Sequence, residues 1–121
     1  VAASRRVRAE GSGMSYARFG ADGSDVYVFT SDRGIECCGC LLIERRWVEE
    51  PGRPIFGGYL EQVNPDDTEL YRSNAAMIEH MDRHRAAGHV VPEYVYERLR
   101  DPADAAWNER WWLEHAGEAT R

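Results

Sequence analysis

Cys37 and Cys40 flank Cys38 and Gly39, and His80 and His84 stand four residues apart farther along the chain. Thiolate and imidazole are the ligands that Zn2+ prefers. A knuckle with two intervening residues lets both sulfurs reach one ion, and an ion held by four protein groups has no position left for a substrate. If His80 and His84 lie on a helix, their rings project from one face, one turn apart. Cys37, Cys40, His80 and His84 are therefore the expected ligands of one structural zinc ion. Cys38 should point away from Cys37 and serve as a free or supporting thiol. His89, five residues after His84, is the alternative last ligand. A plainer reading makes the cysteines small buried hydrophobes and the histidines half-exposed helix residues.

The elements that must position these groups read as strands first and helices after, the order of an α+β fold. Asp25–Ser31 is rich in β-branched and aromatic residues, Ser31-Asp32-Arg33-Gly34 is turn-like, and Ile35-Glu36-Cys37 follows, so a β-hairpin leads into the knuckle. Leu41–Val48 and Ile55–Val63 read as further strands around the Glu50-Pro51-Gly52 loop. Ser73 suits the N-cap of a helix over Asn74–Ala87, stopped by Gly88. Pro92 opens a short helix to Arg100, and Asp101-Pro102 opens a last one to about His115. The expected architecture is a small antiparallel hairpin or meander with a zinc knuckle, packed on a histidine-bearing helix and followed by C-terminal helices.

Tyr71-x5-Met77-x2-His80-x3-His84, taken with Cys37-x2-Cys40, resembles the two-cysteine, two-histidine zinc finger family. Tyr71 stands for the usual Phe and Met77 for Leu. The chain departs from the pattern in its linker: 39 residues separate Cys40 from His80, where the family has about twelve, so roughly 27 more must be accommodated. The segments MSYARFG, SDVYVF, CCGC and MIEHMDRHRAAGHVVPEYV also resemble small zinc-finger-like proteins encoded by actinobacterial phages, over Met14 to about Val95. That resemblance implies a viral origin and no activity.

All 15 basic residues are arginine, the mark of a GC-rich genome, since lysine codons are A-rich. Glu10-Gly11 requires codons that resemble a ribosome-binding sequence just before Met14. Met14 is therefore the expected start, and residues 1–13 an unstructured extension. A zinc-finger-like domain over 14–100 and a C-terminal helix over 101–121 complete the expected organisation. No apolar run exceeds Leu41-Leu42-Ile43, and the first 13 residues carry no signal-like stretch. A cytoplasmic protein is expected, in the host cytoplasm if phage-encoded, with no membrane partner. Three clustered cysteines point to metal chemistry rather than a disulfide framework.

Function classes narrow in the same way. Metalloproteases place Glu after the first His, where this chain has Met81; zinc deaminases need His-x-Glu before the cysteines; phosphate loops and nucleophile elbows are missing. An enzyme is not expected. On the finger pattern the base-reading positions fall on Ser73, Ala76 and Glu79. The net charge is −6, opposing phosphate contact, so sequence-specific DNA binding is not expected either. Arg83 and Arg85 read as a solvated face. The expected function is a protein-interaction module whose zinc stands in for part of a core. Its alternatives are a nucleic-acid-binding finger or an acidic mimic of nucleic acid that inhibits a DNA-binding enzyme. Trp107, Trp111 and Trp112 are the candidate partner-binding residues. Trp107 and Trp111, four apart, should pack inward, and Trp112, rotated about 100° on the helix, should be the exposed anchor.

Overall fold

The computed structural model describes residues 15–119, so the expected extension over 1–13 lies outside the described residues. The fold is α+β. β1 (Ser15–Ala17), β2 (Val28–Ser31), β3 (Gly34–Cys37) and β6 (Leu70–Tyr71) form one antiparallel sheet in that order. β4 (Arg45–Glu49) and β5 (Gly58–Gln62) form a separate hairpin. Then come α1 (Asn74–Ala86), α2 (Glu93–Arg100) and α3 (Pro102–Ala119).

The β2–β3 hairpin runs in register from Val28 opposite Cys37 to Ser31 opposite Gly34, as the turn residues predict. β6 then docks against β3 so closely that a Cβ on Gly34 would lie 2.5 Å from the Tyr71 carbonyl oxygen. Only glycine fits there. The inward residues Val28 and Ile35 meet Met77 and Met81 of α1, with Val95, Tyr96 and Leu99 of α2 closing the core.

α1 starts and stops as its sequence predicts: the Ser73 hydroxyl accepts a hydrogen bond from the Ala76 N–H, and the helix ends before Gly88. At α3, the Asp101 carboxylate accepts from the Ala103 N–H. The expected strand over Leu41–Val48 begins only at Arg45, because Cys40–Leu42 continues the knuckle as a turn, with the Ile43 N–H on the Cys40 carbonyl. β1 and β6 are too short to leave a strand pattern in the sequence.

α3 corrects one expectation. Trp112, the predicted exposed anchor, is only 8% exposed and donates its indole N–H to the Ser31 carbonyl oxygen. Trp107 and Trp111 are the half-buried pair, stacked with centroids 5.4 Å apart. The reason lies in the stripe that faces inward: Asp104, Asn108 and Trp112, each buried and each one turn on from the last. Two of the three are polar, so apolar spacing pointed to the wrong face. Asn108 is fully buried because its amide is satisfied on every side. It donates to Tyr16 Oη and Asn74 Oδ1, both at 2.9 Å, and accepts from Thr30 Oγ1 at 2.9 Å. Asn74 in turn donates to the Leu99 carbonyl. One side chain thus ties α3 to β1, β2 and α1.

Candidate metal centre

β3 delivers Cys37 at its last residue, and the chain turns at once through Cys38 and Gly39 to bring Cys40 back beside it. Gly39 sits at φ +61°, the left-handed conformation that such a knuckle needs. The peptide is pinned from outside by Glu69, just before β6. Its carbonyl accepts from the Cys37 N–H at 2.7 Å and its carboxylate from the Cys40 N–H at 2.9 Å. Arg45 completes the clamp, donating to the Cys40 carbonyl at 3.0 Å and pairing with the Glu69 carboxylate.

α1 supplies the other half. Met77 and Met81 bury one stripe of the helix, and His80 and His84 on the adjoining stripe are carried down onto the knuckle. The ligand-type atoms of Cys37, Cys40, His80 and His84 all lie within 4.8 Å of one another, and all four residues are buried. Both histidines present Nε2. The two Nε2 atoms are 3.2 Å apart; Cys40 Sγ lies 3.3 Å from that of His80 and 3.4 Å from that of His84; Cys37 Sγ lies 3.5 Å from that of His84. A tetrahedral ion with Zn–S of about 2.3 Å and Zn–N of about 2.05 Å requires N···N near ~3.3 Å and S···N near ~3.6 Å. The cluster fits one metal ion, and two thiolates with two imidazoles is a donor set suited to zinc.

The outer nitrogens are also committed. A histidine that binds through Nε2 carries its proton on Nδ1 and donates it outward. His80 Nδ1 lies 2.9 Å from Tyr71 Oη, with the Tyr71 ring stacked on the imidazole at 4.6 Å. Arg83 Nη2 donates to the same phenol oxygen at 3.2 Å. Its 3.1 Å approach to His80 Nδ1 sets two donors side by side, so the shared phenol oxygen is what accepts from both. His84 Nδ1 lies 2.8 Å from Nδ1 of His89. His89 is therefore the acceptor behind His84 and not the alternative ligand. Cys38 is exposed and stands outside the cluster.

Among protein groups alone the two ligand thiols differ sharply. The Cys37 thiol, hydrogen-bonded to Cys40 and buried, is pushed far above its ordinary value. The Cys40 thiol is pulled down, first by the bond from Cys37 and then, against the cost of burial, by those from His80, His84 and the Leu42 N–H. A divalent cation is the group that lets both sulfurs ionise side by side.

Sequence reasoning assigned Tyr71 to the finger pattern without its role on His80, and it missed Glu69 altogether. Glu69 lies 29 residues from Cys40 and carries no local signal. No family model matches the chain, and no curated protein and no solved structure is matched by it.

Proposed function

We propose that this chain is a structural-zinc module, phage-encoded as its sequence resemblance implies, that acts by holding a protein partner and catalyses no reaction. The observation that carries the metal part is the buried cluster of Cys37, Cys40, His80 and His84, whose ligand atoms lie within 4.8 Å of one another. Four protein ligands complete the coordination sphere, which favours a structural over a catalytic ion.

The partner surface is better placed on the β4–β5 hairpin than on α3, because Trp112 belongs to the core. Ile55 and Phe56 at the hairpin loop are 65% and 88% exposed, and Phe56 is held at φ +63°, a conformation rare for an aromatic residue. Trp47 and Leu60 stand side by side farther down the hairpin, both exposed. The metal cluster supports this hairpin through Arg45, which joins β4 to the Cys40 carbonyl. Of the base-reading positions in a finger, Ser73 spends its hydroxyl on the helix cap. That and the charge of −6 weigh against the nucleic-acid alternatives.

Elemental analysis of natively purified protein tests the metal reading: one zinc per chain is expected, lost in Cys37→Ser and His80→Ala. Protein without metal would overturn it. Affinity capture with mass spectrometry from an actinobacterial lysate, comparing the native chain with Phe56→Ser, tests the partner surface. An unchanged set of captured proteins would move that surface elsewhere.

A further inference from the structure

Beside the metal centre, two carboxylates and a guanidinium line one cleft without pairing. The cleft, of about 460 Å³, opens between α1 and the loop at 64–68 and is lined by Leu42, Ile43, Asp66, Asp67, Tyr71 and Arg83. Its size falls in the range of small-molecule sites, about 300–1,000 Å³. Among the described residues no ion pair takes in Asp66, Asp67 or Arg83, although all three face the same space. The two signs of charge therefore stand across the cleft from each other, farther apart than an ion pair.

Both walls are fixed. On one, the Asp66 N–H donates to Asn64 Oδ1 at 3.0 Å and the Asp67 N–H to the Asn64 carbonyl at 3.1 Å, while Gln62 Nε2 donates to the Asn64 and Asp67 carbonyls. The turn uses the backbone of the two aspartates and leaves their carboxylates unspent. On the other wall, Arg83 donates to Tyr71 Oη at 3.2 Å. With a metal on Nε2, His80 donates its Nδ1 proton to the same oxygen at 2.9 Å. Two donors use up the accepting side of the phenol. The Tyr71 O–H is then a donor with no acceptor among the described residues, beside the unpaired guanidinium. Thr68 adds nothing to either wall, because both bonds of its hydroxyl go to Leu70.

We propose that this cleft binds a free basic α-amino acid, lysine or arginine. Its carboxylate meets Arg83 and the Tyr71 O–H, its aliphatic stem lies along Leu42 and Ile43, and its two cationic groups face Asp66 and Asp67. The lining carries two negative charges and one positive, and a ligand of this class carries two positive and one negative. Other small ligands leave a charge unanswered. A phosphate or an acidic amino acid would set anions against Asp66 and Asp67. A divalent cation or a diamine would leave Arg83 bare, and a neutral zwitterion would leave one carboxylate. The proposal goes beyond the partner reading, whose surface is the β4–β5 hairpin, and takes from the metal reading only the His80 proton.

Two-dimensional amide NMR of the full, metal-loaded chain titrated with L-lysine tests the site, with zinc content measured on the same sample. Saturable shifts at Asp66, Asp67, Tyr71 and Arg83 are expected, with those of α3 unmoved. Norleucine, which lacks the side-chain cation, and cadaverine, which lacks the carboxylate, should each bind at least about tenfold more weakly, the worth of one charged hydrogen bond. Arg83→Gln should weaken lysine by about the same factor and leave cadaverine no weaker, whereas a variant that merely disturbed the fold would weaken both. Shifts that fail to saturate, or that spread over the acidic surface, would overturn the site. So would D-lysine or cadaverine binding as tightly as L-lysine. Equal binding of Nα-acetyl-lysine would overturn the free amino acid in favour of a chain terminus. A zinc-loaded chain with no response to lysine would overturn the cleft alone, and a metal-free chain that binds it would support the cleft and overturn the metal reading.

Discussion

Two polar clusters hold this small fold together, and they do so by opposite means. Around Asn108 protein atoms answer one another: its amide donates to Tyr16 Oη and Asn74 Oδ1 and accepts from the Thr30 hydroxyl, and Asn74 donates on to the Leu99 carbonyl. Around Cys37, Cys40, His80 and His84 the protein gathers four metal-ligating side chains whose ligand atoms lie within 4.8 Å of one another, an arrangement that could hold a cation at its centre. The first cluster joins α3 to the sheet and α1. The second joins α1 to the knuckle and, through Arg45, to the β4–β5 hairpin. Amide networks are insensitive to metal supply and to pH near neutrality; thiolate–imidazole sites respond to both.

Removing the metal should give the largest effect, since structural zinc contributes apparent free energies of ~10–16 kcal/mol in finger peptides. Chelation should collapse amide protection in the knuckle, the β4–β5 hairpin and α1 before it reaches α3. Uniform loss would merge the two clusters into one cooperative unit, and no loss would remove the metal from the fold. The affinity also has a sign in pH. The Cys37 thiol is pushed up by its bond to Cys40 and by burial, so it holds a proton that a second thiolate ligand must give up, while the bond from Cys37 pulls the Cys40 thiol down. Metal uptake releases the Cys37 proton, so apparent affinity should rise roughly tenfold per pH unit and fall as acid is added. Calorimetry in buffers of different ionisation enthalpy counts that proton.

Next in size are changes on α3. Trp112→Ala should cost ~3–5 kcal/mol as a core truncation. Asn108→Ala, which strands several buried partners, should cost about 2–4 kcal/mol. Both should leave one zinc per folded chain. Denaturant melts with parallel metal analysis check this, and loss of zinc in either variant at temperatures where it stays folded would show that the clusters are coupled.

Smaller still, Tyr71→Phe removes the acceptor for His80 Nδ1 and should weaken zinc ~10–100-fold with little change in fold, the usual effect of losing such a partner. Competition with a calibrated chelator measures it, and an unchanged affinity would remove Tyr71 from the site. Cys38→Ser should change neither zinc content nor stability, because that thiol is exposed. If it loses metal as readily as Cys37→Ser, the knuckle uses a different pair.

The metal centre was the most legible part of the chain. Ligand chemistry needs particular residue types, and both halves of the set are local: two residues between the thiols, one helical turn between the imidazoles. The Ser73 cap and the Gly88 stop were legible for the same reason, as each acts within a few residues. The rest of the centre was not. Glu69, which accepts from the N–H groups of Cys37 and Cys40, reaches Cys40 across 29 positions, and His89 turned from alternative ligand to acceptor only when its distance to His84 was known.

The sequence alone therefore determined the donor types, the α+β order of elements and the helix starts, because these depend on residue type and short-range spacing; the last helix runs on to Ala119, past the expected end near His115. Only the tertiary structure decided which face of α3 is buried, since that face is marked by Asp104 and Asn108 and a polar residue enters a core only where distant partners satisfy it. It also decided that β4 and β5 leave the main sheet as a hairpin of their own. Strand pairing joins residues far apart in the chain, and nothing local in Arg45–Glu49 says which of its two edges will be covered.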